Sequence, residues 1–515
     1  MNEKKLSFAA VALSVSLAHS AFAQDATGGL ASHGAVEIAV QNNPSLHIAL
    51  LQETQAGYAV TAENALYDPI FDANGSVAHN RSPSLRGTDG TIVSTSDVVN
   101  LGASLTKTFA TGTSVQAAVS GQRRVSASPP INNVGGTNAV GPAYSLVGQL
   151  TLTQPFLRGY GNALGLASLR VARFNRTAAT LAAQQTGSQV LHDVLGAYWE
   201  LWYASEVVRI DEASRDLAKA LQNQADEQVK SGTLANVDAL PYRTQTAQQE
   251  GLLDSANTDV RQKGISLALA IGRDAPAGSE LKSVDTPPEV ATEDLGERAV
   301  DEALAASYEL KQLQLQLQIA QDQAKIAGDS LRPQLNLQAV VSAQGLGNRQ
   351  VPPAFEQFGR MEAVSASVGL TFETPVTDTR RSAQVESALI GVHLAEKQIE
   401  NLRLQLKSNL RSALAQHSAA ARRLELALVT EKVAQDQADG VQGKFQAGTA
   451  LAIEVQKASN DYQGAQLNVR RARVDLVESE IELLHQRGKL LDRYADVLKS
   501  YKPTALILKG ANEPM

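Results

Sequence analysis

The histidines are the side chains of this chain most suited to acid–base or metal chemistry, but their spacing supports neither. Two metal ligands on one helix require a repeat such as His-Glu-x-x-His, and this repeat does not occur. The chain also contains no cysteine, which excludes thiol chemistry and disulfides. These patterns predict a protein that is not an enzyme and binds no metal or cofactor. The histidines after residue 23 are His33, His47, His79, His192, His393, His417 and His485.

Two local patterns that could suggest ligand binding have simpler explanations. The glycine-rich stretch GYGNALG, residues 159–165, lacks the spacing of a dinucleotide-binding loop and is better explained as a flexible connection. The aromatic residues Tyr198, Trp199, Trp202 and Tyr203 recur at helical spacing, which favours packing at a helix interface over substrate stacking. No Walker A sequence occurs, so any energy would come from a partner.

A short sequence occurs twice, 216 positions apart, as SGTLANVD from residue 231 and AGTALAIE from residue 447. In each copy a glycine permits a sharp helix reversal, and we expect the following threonine to cap the returning helix. An acid six residues after the glycine would lie in the first turn of that helix, where the helix dipole favours it. The paired positions are Gly232 with Gly448, Thr233 with Thr449, Leu234 with Ala450, and Asp238 with Glu454.

The repeated turn belongs to a larger internal duplication. The 216-residue offset holds without gaps over about a hundred residues, and further upstream the offset is 264, so the first copy has about 48 extra residues. Each copy is predicted to contain a helix, a strand region, a long helix, the turn and a shorter helix. Prolines mark the helix–strand junctions, at Pro69 and Pro155 in the first copy and at Pro333 and Pro375 in the second.

The predicted elements and domains follow from this duplication. First helices are expected over 35–67 and 299–331, strand regions over about 71–153 and 335–373, long helices over about 165–229 and 381–445, and shorter helices over about 236–271 and 452–487. The predicted domains are a signal peptide over 1–23, a first repeat over 24–272, a linker over 273–297, a second repeat over 298–488 and a C-terminal tail over 489–515.

The helices carry a narrow apolar seam with alternating spacings of three and four residues, typical of coiled-coil packing. This seam continues through LQLQLQI, residues 313–319, and therefore predicts a helix there although the segment also alternates like a strand. The seam residues are Leu310, Leu313, Leu317, Ala320, Ala324, Ala327 and Leu331, and Val385, Ala388, Val392, Ala395, Ile399, Leu402 and Leu406.

Charge and hydropathy restrict the compartment. Lys4 and Lys5 precede an apolar run and a small-x-small cleavage site, which predicts secretion. The net charge of −7 argues against a nucleic-acid-binding protein. After the signal peptide, no window of 18 or more uninterrupted apolar residues indicates a membrane helix.

The strand regions alternate between apolar and polar residues in segments of about ten, which is the sequence signature of an outer-membrane β-barrel. A soluble sheet with one buried face is the alternative. One chain offers four to six such strands, too few to close a barrel, so several copies would have to share it. Three copies would provide 12 strands, or 18 if the extra hairpin 98–122 joins the wall, which we expect.

The chain resembles the TolC family of outer-membrane efflux channels over nearly all of its mature length. The resemblance rests on AVEIAVQNNPSL, LTQPFLRGYG, VLGAYWELWYASE, the two Gly-Thr turns and the duplication. It implies a homotrimer with a β-barrel in the outer membrane, continued by a long α-helical coiled-coil barrel in the periplasm. It also implies a passive exit duct that works with a periplasmic adaptor and an inner-membrane pump, or with the ABC transporter of a type I secretion system.

The resemblance assigns the two turns to the periplasmic tips, where adaptors dock, and Asp238 and Glu454 to the channel entrance. Capping of a helix by these acids is an equally supported alternative. Ala450 and Phe445 stand where the best-known relative has the arginine and tyrosine of its entrance latch, so that latch is not expected here. A soluble periplasmic coiled-coil scaffold or adaptor protein is the alternative function.

Overall fold

The protein is described by a computed structural model that covers residues 29–85, 91–128, 138–274, 281–289 and 296–500. The predicted signal peptide, parts of the predicted linker and most of the predicted C-terminal tail lie outside these residues. Within the described ranges, no helix is both long enough and apolar enough to cross a membrane.

The elements follow one another in two similar series, each with helices, strands and then a long and a shorter helix. The first series is β1 (Gly29–Leu30), α1 (Ser32–Asn42), α2 (Pro44–Ala65), β2 (Ile70–Leu85), β3 (Thr91–Thr108), β4 (Ser114–Ser128), β5 (Asn138–Pro155), α3 (Asn162–Gly165), α4 (Ala167–Lys230) and α5 (Asn236–Ala270). The second is β6 (Lys282–Ser283), α6 (Gly296–Ala306), α7 (Tyr308–Ser330), β7 (Gln334–Asn348), α8 (Pro352–Gly359), β8 (Ala363–Glu373), α9 (Thr379–Gln446), α10 (Ala452–Gln486), α11 (Leu490–Arg493) and α12 (Ala495–Ser500).

The chain forms two compact units. Of the residues that the structure describes, those within 29–46, 187–303 and 409–500 form the helical unit, and those within 47–186 and 304–408 form the sheet unit. The long helices α4 and α9 contribute residues to both units.

The long helices occur where the sequence predicts them, and α7 confirms the helix through LQLQLQI. Between residues 385 and 406 the predicted seam of α9 coincides with the less exposed positions, since Ala395 and Ile399 are buried, the other seam residues are half-buried and most residues between them are exposed. The heptad spacing therefore identifies the packing face of α9 correctly. In α7 the seam residues up to Ala327 are buried or half-buried, but Asp322 and Asp329 are buried off the seam, so the seam is not the single packing face of this helix. Leu331 lies beyond the helix and is exposed.

Both predicted first helices are wrong as single helices, because each is interrupted. The first is interrupted at Asn43, since the residue before a proline disfavours the helical conformation, and Pro44 opens α2. The Asn43 Oδ1 accepts the backbone N–H of Ser45 at 2.9 Å. The second is interrupted at Ser307, whose hydroxyl caps α7 by accepting the N–H of Leu310 at 3.2 Å. These side chains satisfy amides that the broken helices leave unpaired.

The sheet unit contains one six-stranded sheet in the order β2-β3-β4-β5-β7-β8, and every neighbouring pair is antiparallel. The predicted extra hairpin lies inside this sheet, as parts of β3 and β4, between β2 and β5. The pair β5–β7 joins strands from the two halves of the sequence. The hairpin is thus a full part of the same sheet rather than a separate flap.

The register gives the sheet one apolar and one polar face. Leu105 opposes Ala117, and Ala103 opposes Val119, so the alternation predicted for the hairpin agrees with its neighbours. On the other face polar side chains bond across strands, as where Gln122 donates to the Asn100 side chain at 2.9 Å. The apolar face is formed by Phe71, Ala73, Val77, Val99, Leu101, Ala103, Leu105, Val115, Ala117, Val119, Leu146, Leu150, Leu152, Leu335, Leu337, Ala339, Val341, Ala343, Val364, Ala366, Val368, Leu370 and Phe372.

The helix α8 is absent from the sequence-based prediction, as are the short helices α11 and α12 of the predicted tail. The predicted strand region 335–373 is interrupted by α8, which begins with two prolines that suit the first turn of a helix. This helix packs on the sheet beside β7 and β5.

The helical unit has a core around Tyr198, whose side chain is fully buried. Its hydroxyl donates to the carbonyl of Leu30 at 3.0 Å and accepts the N–H of Asp285 at 3.2 Å, which ties both chain segments to α4. Trp199 and Trp202 are also buried and Tyr203 is half-buried, which agrees with the expectation that these aromatic residues pack at a helix interface. Part of the predicted linker forms β6, which pairs in parallel with β1.

Candidate functional site: two helix turns

The first candidate turn connects α4 to α5. Gly232 has a φ of +75°, a left-handed conformation that strains any residue with a side chain. The N–H groups of Thr233 and Leu234 both donate to the carbonyl of Gln228, at 2.9 and 3.1 Å. The turn therefore satisfies a carbonyl that the end of α4 leaves unpaired.

The second turn, between α9 and α10, repeats this geometry. Gly448 also has a φ of +75°, and the N–H of Thr449 donates to the carbonyl of Lys444 at 2.9 Å. Lys444 lies 216 positions after Gln228, the same offset that separates the glycines. The predicted role of both glycines in reversing a helix agrees with these conformations.

The expected role of the two threonines is wrong. The hydroxyls of Thr233 and Thr449 donate backward, to the carbonyls of Gln228 and Lys444, both at 3.1 Å. The N-cap residues of the returning helices are instead Ala235 and Leu451. The left-handed glycine places each hydroxyl over the exposed carbonyls of the preceding helix, so the threonines terminate the outgoing helices.

The two acids lie in the first turns of α5 and α10, as predicted, and both are exposed. The Glu454 carboxylate accepts the N–H of Leu451 at 3.0 Å, which caps the start of α10. Asp238 occupies the equivalent position in α5. The capping contribution of Glu454 does not preclude a second role, because its charge remains at the surface.

The structure adds an apolar component to these turns that sequence reasoning missed. Val237, Leu240, Leu451 and Ile453 are each at least half exposed, and Leu234 and Ala450 are half-buried. A groove of about 450 Å³ lies between the starts of α5 and α10 and is lined by Val237, Leu240, Pro241, Ile453 and Gln456 among others. The sequence does contain a signal for this apolar surface, namely the apolar residues in the first turns of α5 and α10.

The four junction prolines lie where the sheet meets the helices. Pro69 and Pro333 immediately precede β2 and β7, Pro155 ends β5, and Pro375 follows β8. A backbone hydrogen bond connects the junction at Pro155 with the junction at Pro333, since the N–H of Phe156 donates to the carbonyl of Leu335 at 2.8 Å. The buried Asp329 accepts the N–H of Gly159 at 2.8 Å. These prolines therefore lie at the same end of the sheet, where its strands connect to the helices.

A charged cluster in the helical unit contains a carboxyl group with an unusual pKa. Glu200 receives close contacts from Lys263, at 2.8 Å, and from Arg471. Glu478 lies farther from Arg471, at 3.4 Å. Burial, together with the charge of Glu200, raises the pKa of Glu478 to about 7. Burial also acts to raise the pKa of Glu200, but the hydrogen bonds from Lys263 and Arg471 outweigh it and lower that pKa. Glu478 is thus the member of the pair that retains a proton.

This cluster predicts a pH-dependent stability. The folded protein binds the Glu478 proton up to about pH 7, whereas the unfolded chain releases it near 4.5, the ordinary pKa of a glutamate side chain. The free energy of unfolding therefore falls as pH rises through this window. We expect Glu478→Gln to match the wild type near pH 5 and to be more stable at pH 8, by on the order of 1–3 kcal/mol. Thermal unfolding followed by circular dichroism at both pH values measures this difference.

The matched control is Glu425→Gln, which changes an exposed carboxylate of α9. We expect its unfolding midpoint to follow that of the wild type at both pH values. Equal midpoints for Glu478→Gln and the wild type at pH 8 would contradict a raised pKa at Glu478.

Within the described residues, no group of three or more His, Asp or Glu side chains is arranged to hold a metal ion. The histidines instead contact neighbouring helices or carboxylates. His192 lies 3.0 Å from Glu482, and His417 lies 3.0 Å from the hydroxyl of Ser479.

Comparison with known proteins finds a family match for part of the chain and a similar fold for most of it. Residues 299–488 match the family described as outer membrane efflux protein. Among curated protein sequences, none matches the chain significantly.

Three solved structures illustrate the similarity of fold. The CmeC outer membrane channel of Campylobacter jejuni is 12% identical, with a TM-score of 0.65, over 92% of this chain and 90% of that one. The outer membrane protein VceC of Vibrio cholerae is 14% identical, with a TM-score of 0.64, over 89% and 96%. The open state of the MtrE outer membrane channel of Neisseria gonorrhoeae is 15% identical, with a TM-score of 0.60, over 89% of both chains.

Proposed function

We propose a function from the premise that residues 299–488 belong to the outer membrane efflux protein family and that the chain has the fold of TolC-type outer-membrane channels. The protein is an outer-membrane channel subunit. It forms the passive exit duct of a tripartite efflux pump or of a type I secretion system, for small molecules or proteins. Its partners are two further copies of itself, a periplasmic adaptor and an inner-membrane pump or ABC transporter.

The two-faced sheet is the observation that carries this proposal. All six strands contribute to one continuous apolar face, and many of its side chains are exposed in the single chain, for example Val77, Val368 and Phe372 at 81%, 73% and 62%. The nine residues from Val364 to Phe372 span about 26 Å along the strand. A strand tilt of about 40° reduces this to roughly 20 Å, close to the apolar band of an outer-membrane wall.

The ends of the sheet favour assembly from several copies. β2 and β8 are the edge strands of the sheet, and each pairs with one other strand in the described chain. Unpaired backbone groups are too costly in lipid, so a membrane-embedded sheet must close on itself. Three copies with β8 of one paired to β2 of the next would give a closed wall of 18 strands. The polar face would then line a water-filled channel.

The two turns are proposed to be the periplasmic tips. Each chain supplies two, centred on Gly232 and Gly448, so a trimer would present six. The half-exposed apolar residues beside them, such as Val237 and Leu451, provide contact area for an adaptor. The carboxylates of Asp238 and Glu454 would favour cations at a narrow entrance, where six of them would meet.

Membrane fractionation with crosslinking tests this proposal. Cells that express the protein are treated with an amine-reactive crosslinker, and the inner membrane, outer membrane and periplasm are separated. We expect the protein in the outer-membrane fraction as a species of three times the monomer mass, which forms conducting channels after transfer to a planar bilayer. A monomer in the soluble periplasmic fraction would contradict the proposal and favour the scaffold or adaptor alternative.

A further inference from the structure

The helix α8 lies directly against the sheet at two glycines. A side chain at Gly345 would overlap the carbonyl of Ala354, and one at Gly148 would lie 2.8 Å from the ring of Phe358. Ala354 is 2% exposed, so one side of α8 is buried against the strands. The helix is therefore seated on the sheet rather than projecting from it as a loop.

The register identifies the face that α8 covers. Gly148 pairs with Val119 on β4 and with Ala343 on β7, and Gly345 pairs with Leu146. Partners in register point to the same side of a sheet, and all three belong to the apolar face. The helix therefore lies on the apolar face, at the end of the sheet opposite the junction prolines, since it connects β7 to β8 there.

A side chain of α8 also completes the backbone hydrogen bonding of the sheet. The ladder between β7 and β8 ends at the pair Gln344 and Ala363. Beyond it, the N–H of Leu346 donates to the Gln357 Oε1 at 3.0 Å. A backbone amide needs such a partner if its surroundings are hydrocarbon, whereas in water the solvent would suffice.

The outer surface of α8 and the segment after it exposes two large apolar side chains next to the charged residues Glu356, Arg360 and Glu362. Phe355 is 58% exposed and Met361 is 69% exposed. Arg360 lies between them, and its guanidinium is 3.6 Å from the carboxylate of Glu362. Aromatic and apolar residues next to a long cationic side chain are typical of a membrane interface.

We propose that α8 is a lipid-contacting rim helix, which lies in the outer leaflet with Phe355 and Met361 against the acyl chains and Arg360 at the level of the headgroups. This inference rests on the proposed function, because it requires the apolar face of the sheet to face lipid. The rim helix would widen the apolar belt of the wall at its extracellular end. It would also shield the glycines of β5 and β7, which offer no side chain to the lipid.

Site-directed spin labelling tests the rim helix, and the absence of native cysteine makes single labels specific. A nitroxide is attached in separate variants at Phe355→Cys on α8, Val368→Cys on the apolar face of β8 and Ser367→Cys on its polar face. Each variant is reconstituted into phosphatidylcholine–phosphatidylglycerol vesicles. Collision rates with oxygen, which concentrates in lipid, and with a water-soluble nickel chelate are then compared.

We expect the oxygen-to-nickel ratio at position 355 to exceed that at position 367 several-fold and to lie below that at position 368, which is nearer the bilayer centre. A low ratio at 355 with a high ratio at 368 would overturn the rim helix and leave the membrane wall intact. Low ratios at both 355 and 368 would overturn the lipid-facing sheet, and with it the proposed function. The two failures are therefore distinguishable.

Discussion

Leu101→Arg is expected to abolish stable insertion of the protein into the outer membrane. Leu101 lies on β3, within the extra hairpin, and 66% of its surface is exposed on the apolar face of the sheet. An arginine near the middle of the bilayer costs about 2–4 kcal/mol in an outer-membrane wall, and a trimer would bear this cost three times. The amount of protein in the outer-membrane fraction and its heat-modifiable mobility on gels measure the effect.

The matched control is Ser104→Arg, three residues away on the polar face, where Ser104 pairs with Asp72 and Ala118. We expect this variant to insert like the wild type, because its guanidinium would face water. Similar insertion of both variants would mean that the hairpin lies outside the lipid-facing wall. In that case the wall would contain the other four strands of each chain, and three copies would provide 12.

The double variant Gly232→Val, Gly448→Val is expected to abolish export while the protein still assembles in the outer membrane. Both glycines have a φ of +75°, and a side chain in this conformation costs roughly 1–2 kcal/mol per residue. No atom lies within 4 Å of an added Cβ at either position, so the cost is conformational and not steric. We expect the turns to rearrange and the docking surface beside them to be lost.

The matched control replaces Gly251 and Gly464 with valine. These glycines lie within α5 and α10, and an added Cβ there also meets no atom within 4 Å. Neither has a left-handed φ, so these replacements should leave the backbone unchanged. Accumulation of an exported dye in cells, and the level of crosslinked trimer, are measured for both pairs. Normal export by the Gly232 and Gly448 variant would place the adaptor contact elsewhere.

Much of the fold could be predicted from the sequence because its patterns are local and periodic. The seam of α9 is set by a heptad spacing that includes Ala395 and Ile399, and both of these side chains are buried in the structure. The strand alternation identified the apolar face of the hairpin, since each residue of a strand points opposite to its neighbour. The two Gly-Thr sequences identified the turns, because a helix reversal at these positions requires a left-handed residue.

The folded structure alone decided features that the type and spacing of residues leave open. The Thr233 hydroxyl donates to the carbonyl of Gln228, which the turn around Gly232 leaves exposed at the end of α4. The residue type alone could not show whether this threonine bonds to the end of α4 or to the start of α5. The pKa of Glu478 depends on how Glu200 and Arg471 meet across α4 and α10. The pairing of β5 with β7 joins strands from both halves of the sequence.

The position of α8 is the clearest feature that only the folded structure decided. Two prolines account for the first residue of α8. The position at which α8 packs on the sheet depends on Gly148 and Gly345, which come from two strands that pair only in the folded sheet. A sequence pattern determines the period and the termini of each element, because these depend on neighbouring residues. The register between distant strands determines which face of the sheet a helix such as α8 covers, and this register exists only in the folded chain.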